Sequence, residues 1–312
     1  MKIAFFGLPL AALLLLRDGH EIVYAGVCRK RALGTRRLLR ALPGRVAMVP
    51  DLEARTTQAR ILDAAADLCV SWYWTKKIPK VLRESFPQGT VGVHPSLLPR
   101  HRGPDPFFWA IDAGDAETGV TAHRLEDEYD TGAMLGKRVL CIDASWSAWT
   151  LAKKLDRPSL ALLRDVTLAF AAGRPPAEEP QDPRDATLAN APAEEDLEID
   201  WTCSAERIVR RVRAASPFPG VFTFIGDRAV TITRAAVTTQ LPKALQPGEA
   251  AVLADGTAAV RAGDSGVQLL AGRVAPLLID RAAGPSAEED SEEIEITERG
   301  LAEIVANTVA LP

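Results

Sequence analysis

Cysteine is scarce and scattered in this chain: Cys28, Cys69, Cys141 and Cys203 are four thiols in 312 residues, with no CxxC pair. That excludes a disulfide framework and a cysteine zinc site, and it fits the reduced thiols of a cytoplasmic protein. Histidine is as rare, and His20, His94, His101 and His123 show no ligand spacing, so no metal is expected. No apolar run reaches the roughly 18 residues of a membrane span, so no membrane is expected. The longest, residues 3–16 (IAFFGLPLAALLLL), has no clean small-x-small cleavage site after it, and HEIVYAGV follows as a second strand. A buried strand, turn and helix are expected there, not a secretion signal. A large charge of one sign is missing too. A net charge of −4 gives no global pull toward nucleic acid. Gly7-Leu8-Pro9 is not a GxGxxG turn, so neither NAD nor FAD is inferred.

What is present is the composition of a globular protein, 47% hydrophobic and 25% charged, long enough for two domains. In the first half, strand-like pieces (Lys2–Phe6, Glu21–Val27, Val46–Val49, Asp67–Ser71, Val91–His94) alternate with helix-like ones (Leu10–Arg17, Arg31–Leu42, Gln58–Ala66, Pro79–Ser85). The alternation predicts a parallel sheet with helices on both faces. Leu135–Ile142 reads as a further strand, and Ser147–Ala172 as a long helix with a break at Pro158. Gly173–Ala193, with five prolines and many charges, reads as an exposed linker. Beyond it, Ser204 can cap a helix with Ala205, Ile208, Val209 and Val212 on one face, and short strands with Gly turns then predict a small β-barrel. The boundaries drawn are 1–190 (linker about 173–196), 197–280, and an acidic tail over 281–312 ending in a short helix at Leu301–Val309.

The densest stretch runs from Gly92 to Gly132. His94 and Ser96 are two apart at the end of an apolar strand, so Gly92, His94 and Ser96 are expected on one face. Ligands of open α/β sheets bind beyond the carboxyl ends of the strands, where His94 would sit as a general base. Asp130, in a Tyr-Asp-Thr-Gly turn, could orient the imidazole; as a residue type it is equally ordinary in a turn.

The ordered set His94-Pro95-Ser96-Leu97-Leu98-Pro99, Arg102-Gly103, Gly114-Asp115, Thr118-Gly119-Val120-Thr121 and Asp130-Thr131-Gly132 resembles the formyltetrahydrofolate-dependent formyltransferases. Ile199-Asp200-Trp201 and Pro217-Phe218-Pro219-Gly220 are similar to the C-terminal domain of the members that act on methionyl-tRNA. The resemblance implies an α/β fold: a Rossmann-like N-terminal formyltransferase domain followed by a small OB-like barrel. It implies transfer of a formyl group from 10-formyltetrahydrofolate, the co-substrate, to a primary amine. His94 and Asp130 take the places of two catalytic residues, and Ser96, Leu97, Leu98 and Pro99 those of the folate-contacting loop. Trp72, Tyr73 and Trp74 fall where the family has part of its pterin pocket, or are core.

The resemblance breaks at one position. The family pattern is Asn-x-His, and Gly92 stands where the Asn amide would donate to the developing oxyanion; loss of such a donor typically costs about 10²–10³ in rate. Cys28–Arg45 carries seven basic residues and no acid, but is short for a loop that reaches tRNA. It is either a phosphate-contacting segment or a solvated helix face. Arg207, Arg210, Arg211 and Arg213 pose the same choice. Three readings stand: transfer to a small-molecule amine, favoured by Gly92 and the short segment; transfer to Met-tRNA; or a repurposed folate binder.

Overall fold

Strand–helix alternation in the first half produces one seven-stranded sheet. The structure, a computed structural model, describes residues 1–226, 228–274 and 294–309. The elements of the first half are β1 (Lys2–Gly7), α1 (Pro9–Arg17), β2 (Glu21–Val27), α2 (Thr35–Ala41), β3 (Val46–Met48), α3 (Arg55–Asp63), β4 (Leu68–Trp72), α4 (Lys80–Arg83), β5 (Thr90–His94), α5 (Pro106–Ala113), β6 (Glu117–Arg124), β7 (Met134–Cys141) and α6 (Ala148–Ala171). The sheet order is β3-β2-β1-β4-β5-β6-β7.

The sheet is mixed, not parallel throughout. β1 to β5 run parallel, but β6 is antiparallel to both β5 and β7. β6 is the element that alternation alone does not reveal, because a hairpin into β7 needs no crossover helix. The central strands are covered on both faces and read as continuous apolar runs. Ile3, Ala4, Phe5 and Phe6 are fully buried, as are Leu68, Cys69 and Val70. The apolar N-terminal run is thus β1, a turn and α1.

α6 passes through Pro158 without the break that Pro158 predicts. A proline removes one backbone donor. That loss is outweighed by the buried stripe of Leu151, Leu155, Leu162, Leu163 and Val166. α2 is shorter than the expected Arg31–Leu42, and residues 29–34 are loop.

The Cα framework divides into two compact units. One comprises Met1–Pro106, Ala116–Asp143 and Leu151–Ala191, and the other comprises Phe107–Asp115, Ala144–Thr150 and the chain from Pro192. In the second, α7 (Glu194–Leu197) and α8 (Ala205–Ala215) precede a six-stranded antiparallel, barrel-like sheet of β8 (Val221–Ile225), β9 (Arg228–Thr238), β10 (Ala250–Val252), β11 (Ala258–Arg261), β12 (Gly266–Val274) and β13 (Ile294–Thr297). α9 (Glu298–Val309) follows. Ser204 caps α8 by accepting from the Arg207 N–H. Residues 281–293 and 310–312 of the acidic tail lie outside the described residues.

The arginine cluster of α8 is structural. Arg211 forks onto Asp112 (2.5 and 2.9 Å), Arg210 reaches the Asp112 carbonyl (3.3 Å) and Arg213 the Trp146 carbonyl (2.8 Å). All four described cysteines are free thiols. No helix among the described residues is long and apolar enough to cross a membrane.

One buried bond pins α6 to β4: the Trp72 indole N–H donates to Ser159 Oγ at 2.8 Å. Ser159→Ala leaves that N–H without an acceptor in the core. Urea unfolding should show a loss of about 1–3 kcal/mol; a change within about 0.5 kcal/mol of zero would contradict the assignment.

Candidate functional site

β5 delivers His94 to the carboxyl edge of the parallel strands, the edge where open α/β sheets build sites. The strand ends there, so Ser96 does not extend the face shared by Gly92 and His94. Instead the Ser96 hydroxyl donates to the Arg100 carbonyl (2.6 Å), closing a tight loop. Thr121, opposite His94 in the β5–β6 register, fastens the same loop. Its hydroxyl donates to the Ser96 carbonyl (2.7 Å) and accepts from the Leu98 N–H (3.0 Å). Ser96 and Leu98 are buried by this arrangement, while Leu97 and Pro99 stay half-buried.

The His94 ring lies between two oxygens. Nε2 is 2.8 Å from the His101 carbonyl, and Nδ1 is 3.4 Å from Asp130 Oδ2. A neutral imidazole has one N–H and a protonated one has two, so only the cation donates to both oxygens.

Asp130 adopts a left-handed backbone conformation (φ 60°), which aspartate tolerates better than most residues. Its carboxylate accepts from the Gly103 N–H (2.9 Å). Gly103 (φ 125°) must be glycine: a Cβ would lie 2.8 Å from the Ala189 carbonyl oxygen.

Sequence reasoning missed two residues here, His123 and Gln181. His123 on β6 is the cross-strand partner of Gly92, and its Nε2 is 3.6 Å from Asp130 Oδ1. Its Nδ1 is 2.8 Å from the Arg124 carbonyl. Burial pushes its pKa down to about 4, against the opposing pull of Asp130, so it is neutral at pH 7. The signal was available, since His123 lies two residues beyond Thr121; it stayed hidden because 117–124 did not read as a strand.

Gln181 lies in the stretch read as an exposed linker. Most of the stretch is exposed, as read, but its hydrogen bonds tie it to distant loops. Met134 and Glu179 exchange both backbone bonds, and 187–189 pairs with Arg102. His101 N–H donates to Thr187 Oγ1 (2.8 Å). Proline and charge mark the absence of regular structure, which here means a strap and not a solvated tether.

At Gly92 the space for a side chain is narrow. A Cβ built there would be 3.0 Å from Leu125 Cδ2, a tight contact that the leucine would have to relieve by a few tenths of an ångström. Of the three aromatics, Trp72 is core. Tyr73 bonds Asp156, whose carboxyl burial raises. Trp74 packs on Phe6 (5.4 Å between ring centroids), and its Nε1 is buried with no hydrogen-bond partner among the described residues.

With this geometry in view, comparison with known proteins is decisive. Residues 30–167 match the model of the formyl transferase family, and residues 193–275 that of the formyl transferase C-terminal domain. A methionyl-tRNA formyltransferase of Anaeromyxobacter dehalogenans is 34% identical over 289 residues, covering 88% of this chain and 92% of that protein. The chain belongs to the formyl transferase family. Its fold is shared with two solved structures. The N-formyltransferase of Helicobacter canadensis, solved with folinic acid and dTDP-3-aminofucose, has a TM-score of 0.65 at 14% identity, over 86% of this chain and 98% of that one. HypX of Aquifex aeolicus with tetrahydrofolic acid also gives 0.65, at 18% identity; the match covers 99% of this chain and 48% of that protein.

The depressed His123 gives this family member an acid sensitivity. Unfolded, the ring titrates near 6.5; folded, near 4. Between those values the unfolded chain binds more protons, so stability falls as pH falls through that window. His123→Gln should flatten the decline of unfolding free energy from pH 6.5 to 4 by on the order of 2–3 kcal/mol. Parallel wild-type and variant curves would contradict the assignment.

Proposed function

We propose that this chain transfers a formyl group from 10-formyltetrahydrofolate to the primary amine of a small molecule. The reading is carried by one observation: the His94 imidazole, at the carboxyl edge of the sheet, set between a carboxylate and a carbonyl. When bound, the folate supplies the formyl carbon that the amine attacks. An amine attacks only with its lone pair free. His94 takes the proton the amine must lose, Asp130 and the His101 carbonyl stabilise the resulting imidazolium, and that proton would then go to the folate nitrogen as its bond to the formyl carbon breaks, leaving the formylated amine and tetrahydrofolate. Leu97 and Pro99 of the 96–99 loop, with the partnerless indole N–H of Trp74, are the groups that would hold the folate. A buried, unpaired N–H next to apolar surface suits a heteroaromatic ring bearing acceptor atoms.

Position 92 separates this chain from the pattern of its family. With no side-chain donor at Gly92, the proposed transfer rests on the base and on positioning.

A cationic patch supports an acceptor that carries phosphate. Arg29, Lys30, Arg31, Arg36, Arg37 and Arg40 are exposed, and Arg45 pairs with Glu21 at 3.2 Å. They follow β2, whose carboxyl end is on the same edge as His94 and three strand spacings away, about 14 Å. The second reading, Met-tRNA as acceptor, is favoured by the relative 34% identical over 92% of its length.

Incubation of the protein with 10-formyltetrahydrofolate and an amine panel including Met-tRNA tests both, with products read by mass. A formylated small amine is expected, with a shallow salt dependence. Formylated Met-tRNA, with log–log salt slopes of about −0.7 to −0.9 per phosphate contact, would establish the second reading instead. His94→Ala should lower turnover by about 10²–10⁴; undiminished turnover would overturn the role of His94. Folate binding without any transfer would mark a repurposed site.

A further inference from the structure

The side chain of Gln181 uses every hydrogen-bonding position a carboxamide has. Its Nε2 donates to the Asp130 carbonyl (2.8 Å) and to the Gly132 carbonyl (2.7 Å). Its Oε1 accepts from Arg102 Nε (3.0 Å) and Arg102 Nη2 (2.7 Å). Two donors and two acceptor sites are thereby filled. The groups it joins belong to the two loops that hold His94. Arg102 sits between His101, whose carbonyl faces His94 Nε2, and Gly103, whose N–H holds Asp130 Oδ2.

We propose that Gln181 is a positioning residue for the formyl-transfer reaction, fixing the Asp130 turn against the 101–103 loop so that the carboxylate stays aimed at His94 Nδ1. It rests on the proposed transfer reaction only for its kinetic readout. Gln181 touches neither His94 nor the carboxylate. It acts on the Asp130 backbone from behind, while the Gly103 N–H holds the carboxylate from the front. The left-handed turn at Asp130 has few local bonds of its own: Thr131 Oγ1 donates to the Glu128 carbonyl at 3.2 Å. Two amide donations onto the carbonyls of Asp130 and Gly132 straddle that turn and limit its rotation. Arg102 transmits the same restraint to the opposite loop, and the pairing of residues 187–189 with Arg102 holds the strap in place. A shift of about 1 Å between reacting groups can cost as much as 10²-fold in rate.

Gln181→Glu separates the two halves of this contact. A carboxylate still accepts from Arg102, more strongly as an ion pair, but cannot donate to the two carbonyls. With 10-formyltetrahydrofolate and the amine the wild type uses best, kcat should fall about 10- to 100-fold while KM for the folate stays within about twofold. In the free protein, the His94 ring ¹⁵N signals, identified by their loss in His94→Gln, should move in Gln181→Glu in the same direction as in Asp130→Asn. Gln181→Met, neutral and of similar length, carries the same predictions if Gln181→Glu does not fold. Unchanged kcat with unmoved His94 signals would overturn the proposal, as would a rise in folate KM with kcat unaffected. The spectra need no turnover: a wild type that transfers nothing would defeat the proposed function, and the His94 signals would still decide the role of Gln181.

Discussion

The aim of the Asp130 carboxylate at His94 is the constraint on which this site depends. A carboxylate on a turn is free to rotate, and at 3.4 Å from an imidazole nitrogen a small rotation removes the contact. The protein limits that freedom with a left-handed backbone at Asp130, the Gly103 N–H on one oxygen, and a buried neutral histidine beside the other. The neutrality of His123 matters. A second imidazolium here would compete with His94 for the same charge, and burial keeps that proton off.

Much of this was legible in the residues. The buried parallel strands show as unbroken apolar runs, and β2 has the ends its sequence predicts, Glu21 and Val27. His94 stood out at a strand end and Asp130 through the resemblance of the surrounding motifs, and the fold brings them together. The reading failed where composition masks pairing. β6 carries Thr, Gly and His among its apolar residues, and its role follows from hydrogen bonds to β5 and β7 that no local pattern encodes. The 178–189 segment has the prolines of a tether, yet it uses backbone and side-chain groups to pair with distant loops. The arginines of α8 read either as a phosphate-contacting cluster or as a solvated face until Asp112 and two carbonyls are seen to take three of them.

Gly92 shows how a departure from a family pattern is accommodated. Leu125 packs close to position 92, 3.0 Å from where a Cβ would be, and belongs to the apolar cluster that includes Phe6, Tyr24 and Trp74. Neither glycine nor a neighbouring leucine side chain donates a hydrogen bond to a developing negative charge. Under the proposed transfer, proton transfer by the His94–Asp130 pair carries more of the reaction than charge stabilisation from position 92, where glycine has no side-chain donor.

If His94 and Asp130 act as one unit, their effects on the reaction are not independent. The direct test is kcat/KM for His94→Gln, Asp130→Asn and the double variant, with 10-formyltetrahydrofolate and one amine acceptor. The account predicts that the double variant is no more impaired than the worse single one, because either change dismantles the same pair. Losses that multiply, each variant contributing its full factor in the presence of the other, would show that the two residues work separately and would contradict the account.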